Sequence, residues 1–146
     1  MTIPEAQDLL LAHAGAHPDP DHPLLANGFL GMLRPYHGLV ERNFHEVMHA
    51  LQVVAPSLQT DPTLNRNLMA ALWGLCHFSR AWALEPEGMV RSNNLITEAD
   101  VERLSNWLNI ISYAITNLLE GADDKEAFEL YTFYQLDAAA SLSPES

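Results

Sequence analysis

Residues 101–119 read VERLSNWLNIISYAITNLL, and this stretch decides the fold class. Its apolar residues recur in alternating steps of three and four, which places them on one face of an α-helix. They are Val101, Leu104, Leu108, Ile111, Ile115 and Leu118. A half-buried strand would alternate at every second residue instead. The stretch therefore predicts a long helix that packs one face against a core.

Two earlier segments repeat this spacing. Their apolar seams are Val40, Phe44, Val47, Leu51 and Val54, and Leu64, Leu68, Ala71, Leu75, Phe78 and Trp82. Such seams are typical of antiparallel helices that cross at small angles. We expect further helices near residues 4–16 and 123–137 and a short one at 24–33. No strand pattern of useful length occurs, so the sequence predicts an all-α, single-domain bundle of five or six mostly antiparallel helices.

Capping residues and prolines predict where these helices begin and end. The expected N-terminal pairs are Thr2 with Glu5, Thr97 with Asp100, and Asp123 with Glu126. Asp61 is expected to cap a helix that begins at Pro62, and Pro56 to follow the end of the helix before it. Gly121 is expected to end the long helix. Residues 1–137 are assigned to the bundle, and residues 138–146, AAASLSPES, are predicted to be a disordered tail.

The charge of the chain bounds its partners. Of 146 residues, 19 are acidic and 7 are Lys or Arg, which gives a net charge of −12. This charge repels phosphate backbones and anionic lipid surfaces, so we expect neither nucleic-acid nor membrane binding. The acidic surface could suit a basic protein partner. The N-terminus resembles no signal peptide and Cys76 is the sole cysteine, so a cytoplasmic location is expected.

Residues 45–49 read HEVMH, the H-E-x-x-H pattern of zinc peptidases. In that interpretation His45 and His49 hold zinc as the cofactor and Glu46 is the general base of a zinc-dependent hydrolase. A third ligand is required, and no spacing in the chain identifies one. The cluster of His13, His17 and His22 could supply it if the loop after the first helix folds over the third. Otherwise His45 and His49 are outward-facing histidines without a metal.

The segment from Leu104 to Leu119 contains no charged residue, although a solvated helix face normally carries several. Opposite its apolar seam lie uncharged polar and aromatic side chains. We predict that these form an interface, and its residues are Asn106, Trp107, Asn109, Tyr113 and Asn117. The alternative is a central helix that its own neighbours cover. The first hypothesis is therefore a regulatory, adaptor or inhibitor-like protein that acts by protein contact, as a homodimer, and the zinc hydrolase is the second.

Overall fold

All regular structure in the computed structural model, which describes residues 1–142, is helical. The helices are α1 (Ile3–His13), α2 (Leu24–Asn27), α3 (Glu41–Thr60), α4 (Arg66–Ser79), α5 (Met89–Ser92), α6 (Glu98–Leu119), α7 (Asp124–Ala127) and α8 (Glu129–Leu142). A π-helical segment, Arg80–Leu84, continues α4. The all-α bundle prediction is confirmed, since no β-strand occurs among the described residues.

The core lies between four helices. Both α1 and α6 pack against α3 and α4, so each of the four helices has two neighbours in this set. At the centre Phe44 of α3 stacks on Trp107 of α6, with ring centroids 5.2 Å apart and planes 4° from parallel. Tyr131 of α8 meets the edge of Phe44 and is also buried. Large aromatic side chains bury much apolar area, so this cluster joins α8 to the bundle.

The first 40 residues contain less helix than expected. Helix α1 ends at His13 because Gly15 takes a positive φ of 69°, which turns the chain back. The short helix expected at 24–33 is a single turn, α2. A Cβ on Gly28 or Gly31 would lie within 2.5 Å of backbone atoms of the preceding turn, so only glycine permits this tight path. The chain then runs irregularly to Glu41.

Two predictions about helix ends are wrong. Pro56 lies inside α3, which continues to Thr60, because the next apolar residue of the seam, Leu58, is buried in the core. Asp61 is the C-terminal boundary of α3 and caps no following helix. Asn65 caps α4 instead, and its side chain accepts a hydrogen bond from the Leu68 N–H.

The C-terminal region begins as expected and then divides. Thr97 caps α6 and Gly121 follows it with a φ of 84°, as predicted. Asp123 caps a helix, but this helix is only the single turn α7. Helix α8 follows and continues to Leu142, beyond the expected end at 137. The rest of the predicted tail, 143–146, lies outside the described residues.

No helix in the described part of the chain is both long and apolar enough to cross a membrane.

Candidate functional site

His45 and His49 lie one turn apart on the side of α3 that faces α8. The two rings converge on one hydroxyl: Tyr131 Oη lies 2.6 Å from His45 Nδ1 and 3.4 Å from His49 Nε2. His49 is exposed and His45 is half-buried. The expectation that both imidazoles face outward therefore holds for His49 only, because α8 covers part of His45. Tyr131 was not predicted from the sequence, since a contact across 86 positions leaves no local signal.

The contact with Glu41 determines which ring nitrogen of a neutral His45 carries the proton. Its Oε2 lies 3.4 Å from His45 Nε2, and a carboxylate can only accept, so Nε2 of a neutral His45 carries the proton. Nδ1 is then the acceptor, and Tyr131 donates to it. Burial, Tyr134 and Glu41 raise the pKa of Tyr131 to about 12, so its hydroxyl keeps the proton at neutral pH. This tyrosine therefore occupies the position that an ion shared by the two histidines would need.

Tyr134 continues this set of polar contacts towards the core. Its hydroxyl donates to Glu41 Oε1 at 2.8 Å and accepts from the Trp107 indole N–H at 3.1 Å. Glu41 Oε1 also lies 3.9 Å from Arg103 Nη2 on α6. These contacts hold α8 against α3 and α6. The three surface grooves described below are lined by other residues.

Glu46 lies on the other flank of α3, away from both histidines. Its Oε1 is 3.1 Å from Nε2 of the fully buried His13, and its Oε2 is 3.6 Å from Arg42 Nε. His13 Nδ1 accepts from the Phe29 N–H at 3.0 Å, so the ring proton is on Nε2 and is donated to Glu46. Burial lowers the pKa of His13, and Glu46 opposes this only in part.

The residues of HEVMH therefore do not form one site. Glu46 is engaged by His13 on the opposite flank, so its carboxylate is not placed to activate a water at His45 and His49. The histidine that meets Glu46 is His13, the last residue of α1, and it supplies no third ligand to His45 and His49. Within residues 1–142, the one group of three ligand-type side chains with donor atoms within 4.8 Å of each other contains neither His45 nor His49.

That group is Asp8, His17 and His22. His17 lies in the loop after α1, which folds back along that helix. Its Nε2 is 2.7 Å from Asp8 Oδ1, and its ring centroid is 4.5 Å from that of His22. The grouping of His17 with His22 was predicted from the sequence, and the contribution of Asp8 was not. The turn at Gly15 before the proline-rich loop was the signal that the loop returns along α1.

The predicted interface residues of α6 separate into two groups. Asn106 and Asn109 are exposed, and Tyr113 and Asn117 are half-buried. Trp107 is a correction: only 1% of it is exposed, and it belongs to the core. It is three residues after Leu104 and four before Ile111, so it lies on the apolar seam itself.

From Ser105 onward, the outer surface of α6 is nevertheless free of charge. We define the charge-free face as the exposed and half-buried residues of α6 opposite its seam, from Ser105 to Leu119. They are Ser105, Asn106, Asn109, Ser112, Tyr113, Thr116, Asn117 and Leu119. Some of its polar groups bond within the helix, since Asn117 donates to the Tyr113 carbonyl and Ser112 to the Leu108 carbonyl. Such internally bonded groups lose little when a partner covers them.

A groove of about 230 Å³ lies between this face and α4, and we call it the α4–α6 groove. Trp73, Cys76 and Arg80 line one side, and Ile115 and Thr116 line the other. Trp73 is 76% exposed, the largest value among the exposed large apolar side chains. It also borders a second groove of about 330 Å³, which Cys76 and Arg80 line as well. The protruding Trp73 side chain, an apolar knob, therefore lies beside an apolar groove.

The charge and thiol chemistry of the α4–α6 groove are simple. Arg80 is its one charged lining residue, and its guanidinium donates to Ser112 Oγ at 3.4 Å. Burial raises the pKa of the Cys76 thiol, although Arg80 acts in the opposite direction. The thiol is therefore protonated at neutral pH and a poor nucleophile. The groove carries features of a contact surface and lacks a general acid–base pair.

An acidic groove of about 600 Å³ lies at α7 and the start of α8. Asp123, Glu126 and Glu129 line it, with Lys125 as the single base. Phe133 also lines it and is 53% exposed. This is the described surface groove whose lining best matches a basic partner.

Comparisons with known proteins give no match to a family model, to a curated protein or to a solved structure.

Proposed function

We propose that this chain acts by protein–protein contact and self-associates through the charge-free face and the adjoining α4–α6 groove. The observation that carries the proposal is the exposure of Trp73, 76%, beside a helix face without any charge. Tryptophan is enriched at the centres of interfaces, where charged residues are depleted. A tryptophan left in water here would keep most of its apolar area hydrated, which costs free energy that a partner would recover.

A second copy of the chain fits this surface better than a basic partner does. In a two-fold interface the same patch of both copies meets, and a residue near the axis approaches its own copy. For a chain of net charge −12, a contact surface without carboxylates adds no further repulsion to the association. The α4–α6 groove has none in its lining. A knob and a groove on one patch are also what a self-complementary contact requires.

Measurement of the molar mass by light scattering, as a function of concentration, tests this proposal. We expect twice the monomer mass of 16.2 kDa for the wild type. Trp73→Glu and Asn109→Glu each place a carboxylate in the proposed contact, where its burial is unfavourable, and should give monomers. Leu136→Glu is the matched control, since Leu136 is 61% exposed on α8 and should leave the dimer intact.

A wild-type chain that stays monomeric up to about 1 mM contradicts the proposal, because even a contact of about −4 kcal/mol is half-formed there. Dissociation by Leu136→Glu and not by Trp73→Glu would place the interface elsewhere.

A basic protein partner is the second candidate function, and the acidic groove at α7 and α8 favours it. If the wild type is monomeric and binds a lysine-rich peptide with an affinity that falls as salt rises, this candidate replaces the first. Glu126→Gln should then weaken the binding.

We do not propose that this chain is a zinc hydrolase. Glu46 and the pair of His45 and His49 lie on opposite flanks of α3, and Tyr131 Oη occupies the space between the two rings.

A further inference from the structure

We propose that Asp8, His17 and His22 form a binding site for a divalent transition-metal ion, with Zn²⁺ as the best match. One donor atom from each of the three residues lies within 4.8 Å of the others. Donors around a tetrahedral zinc are about 3.4 Å apart when each bond is about 2.1 Å long. The three side chains are therefore close to that spacing, and shifts of about an ångström suffice. This inference is independent of the proposed self-association, which uses other helices.

The donor set selects the class of metal. Two imidazole nitrogens and one carboxylate oxygen suit zinc and its neighbours in the first transition row, and calcium and magnesium prefer oxygen ligands alone. The side chain of Asp8 is 56% exposed and that of His17 only 10%. One side of the cluster therefore faces solvent, where water can complete the coordination. Three protein ligands with an open position describe an accessible site.

The loop holds both imidazoles in place before any metal arrives. Pro18, Pro20 and Pro23 restrict the backbone around the two histidines, which lowers the entropy lost on ordering the loop. The Asp19 N–H donates to His17 Nδ1 at 3.0 Å, and the Leu24 N–H donates to His22 Nδ1 at 3.1 Å. Each ring is thus oriented through Nδ1, and Nε2 is the nitrogen not bonded to the backbone.

These backbone contacts also determine where the protons are. A neutral ring whose Nδ1 accepts carries its proton on Nε2, and His17 donates that proton to Asp8 Oδ1 at 2.7 Å. A metal at Nε2 requires the proton on Nδ1 instead. Each neutral ring then moves one proton from Nε2 to Nδ1, with no net release, and the ring no longer accepts from the backbone N–H.

Metal binding therefore breaks the two hydrogen bonds that His17 and His22 accept from the backbone. Histidine ligands usually donate through their second nitrogen, and here both rings must give up an accepted bond first. Each lost bond weakens the affinity by roughly tenfold at most, relative to a site in which Nδ1 already donates. The amides of Asp19 and Leu24 should consequently change environment when metal binds, and this gives a readout that adventitious surface binding would not produce.

Calorimetric titration of the untagged full chain with zinc chloride tests the site, with amide NMR spectra recorded at the same points. We expect one equivalent of zinc to bind, with the largest shift changes at Asp19 and Leu24. Asp8→Asn and His22→Ala should each weaken binding at least about tenfold. The matched control is the double variant His45→Ala/His49→Ala, which removes the other close histidine pair and should bind zinc like the wild type.

No zinc binding by the wild type at about millimolar concentrations would overturn the site, and Asp8, His17 and His22 would then serve only to brace the loop. Loss of binding in the control, with binding retained in Asp8→Asn and His22→Ala, would assign the metal to α3 and also overturn it. Circular dichroism of each variant establishes that the helices are intact. Asp8→Asn keeps the proposal testable even if His22→Ala perturbs the loop, because Asp8 is largely exposed.

Discussion

Replacement of His13 by leucine tests the central polar contact between α1, the following loop and α3. His13 is fully buried, and leucine occupies a similar volume without its two ring hydrogen bonds. The Phe29 N–H would lose its acceptor and Glu46 would lose the donor that holds it. The variant therefore separates the hydrogen bonds from the packing.

The expected cost follows from the two groups left behind. The Phe29 amide is buried, and an unsatisfied buried N–H costs about 1–3 kcal/mol. The Glu46 side chain is 32% exposed to solvent and keeps its contact with Arg42. The loss of its hydrogen bond from His13 should therefore cost only about 0.5–1 kcal/mol of stability. We expect His13→Leu to lower the free energy of unfolding by about 1.5–4 kcal/mol at pH 7.

The pH dependence gives the same variant a second readout. Burial lowers the pKa of native His13 below its ordinary value of 6.5. Below pH 6.5 the unfolded chain therefore binds a proton that the native chain does not, and native stability falls as the pH falls. This loss has a slope of at most about 1.4 kcal/mol per pH unit and continues until the pH reaches the lowered native pKa. The leucine variant has no histidine to protonate at this position and lacks this loss. The difference in the free energy of unfolding between wild type and His13→Leu should therefore become smaller as the pH falls.

Urea unfolding at pH 7 and pH 5.5, followed by circular dichroism, measures both effects. His37→Leu is the control, since His37 is exposed and should change stability by no more than about 0.5 kcal/mol. A His13→Leu protein within 0.5 kcal/mol of wild type at pH 7 would refute the reasoning. So would a gap that widens at the lower pH.

Three further predictions use the same unfolding assay. Trp107→Ala should cost about 3–5 kcal/mol because Trp107 is in the core, whereas Trp73→Ala at concentrations that keep the chain monomeric should change stability by about 0.5 kcal/mol or less. Tyr131→Phe should cost about 1 kcal/mol, since it removes the hydroxyl shared by the two α3 histidines, and an unchanged stability would mean that this contact contributes nothing. Gly28→Ala should destabilise by about 1–3 kcal/mol because its Cβ would lie 2.4 Å from a carbonyl oxygen, whereas Gly74→Ala in α4 should stabilise by up to about 1 kcal/mol, and the opposite order would contradict the backbone path described.

The helical class and the start of several helices could be predicted from the sequence alone. The seam of α6 was read from its spacing, and Leu104, Leu108, Ile111 and Leu118 are all buried. Thr2 and Thr97 cap their helices as expected. These features are local, because helical periodicity and capping depend on residues within four positions of each other. Where two local signals disagreed, burial decided, as at Pro56, where a buried Leu58 continues the helix.

The pairs of side chains that meet across the fold could not be predicted in this way. His13 and Glu46 are 33 residues apart and His45 and Tyr131 are 86 apart, so no motif could pair them. The HEVMH pattern correctly predicted two histidines on one side of a helix, and the fold gave them a tyrosine as partner. Side-chain contacts of this kind depend on how helices cross and on which faces remain uncovered. Helix crossing and the burial of helix faces depend on packing over the whole chain, whereas the helical periodicity of each segment can be read from that segment alone.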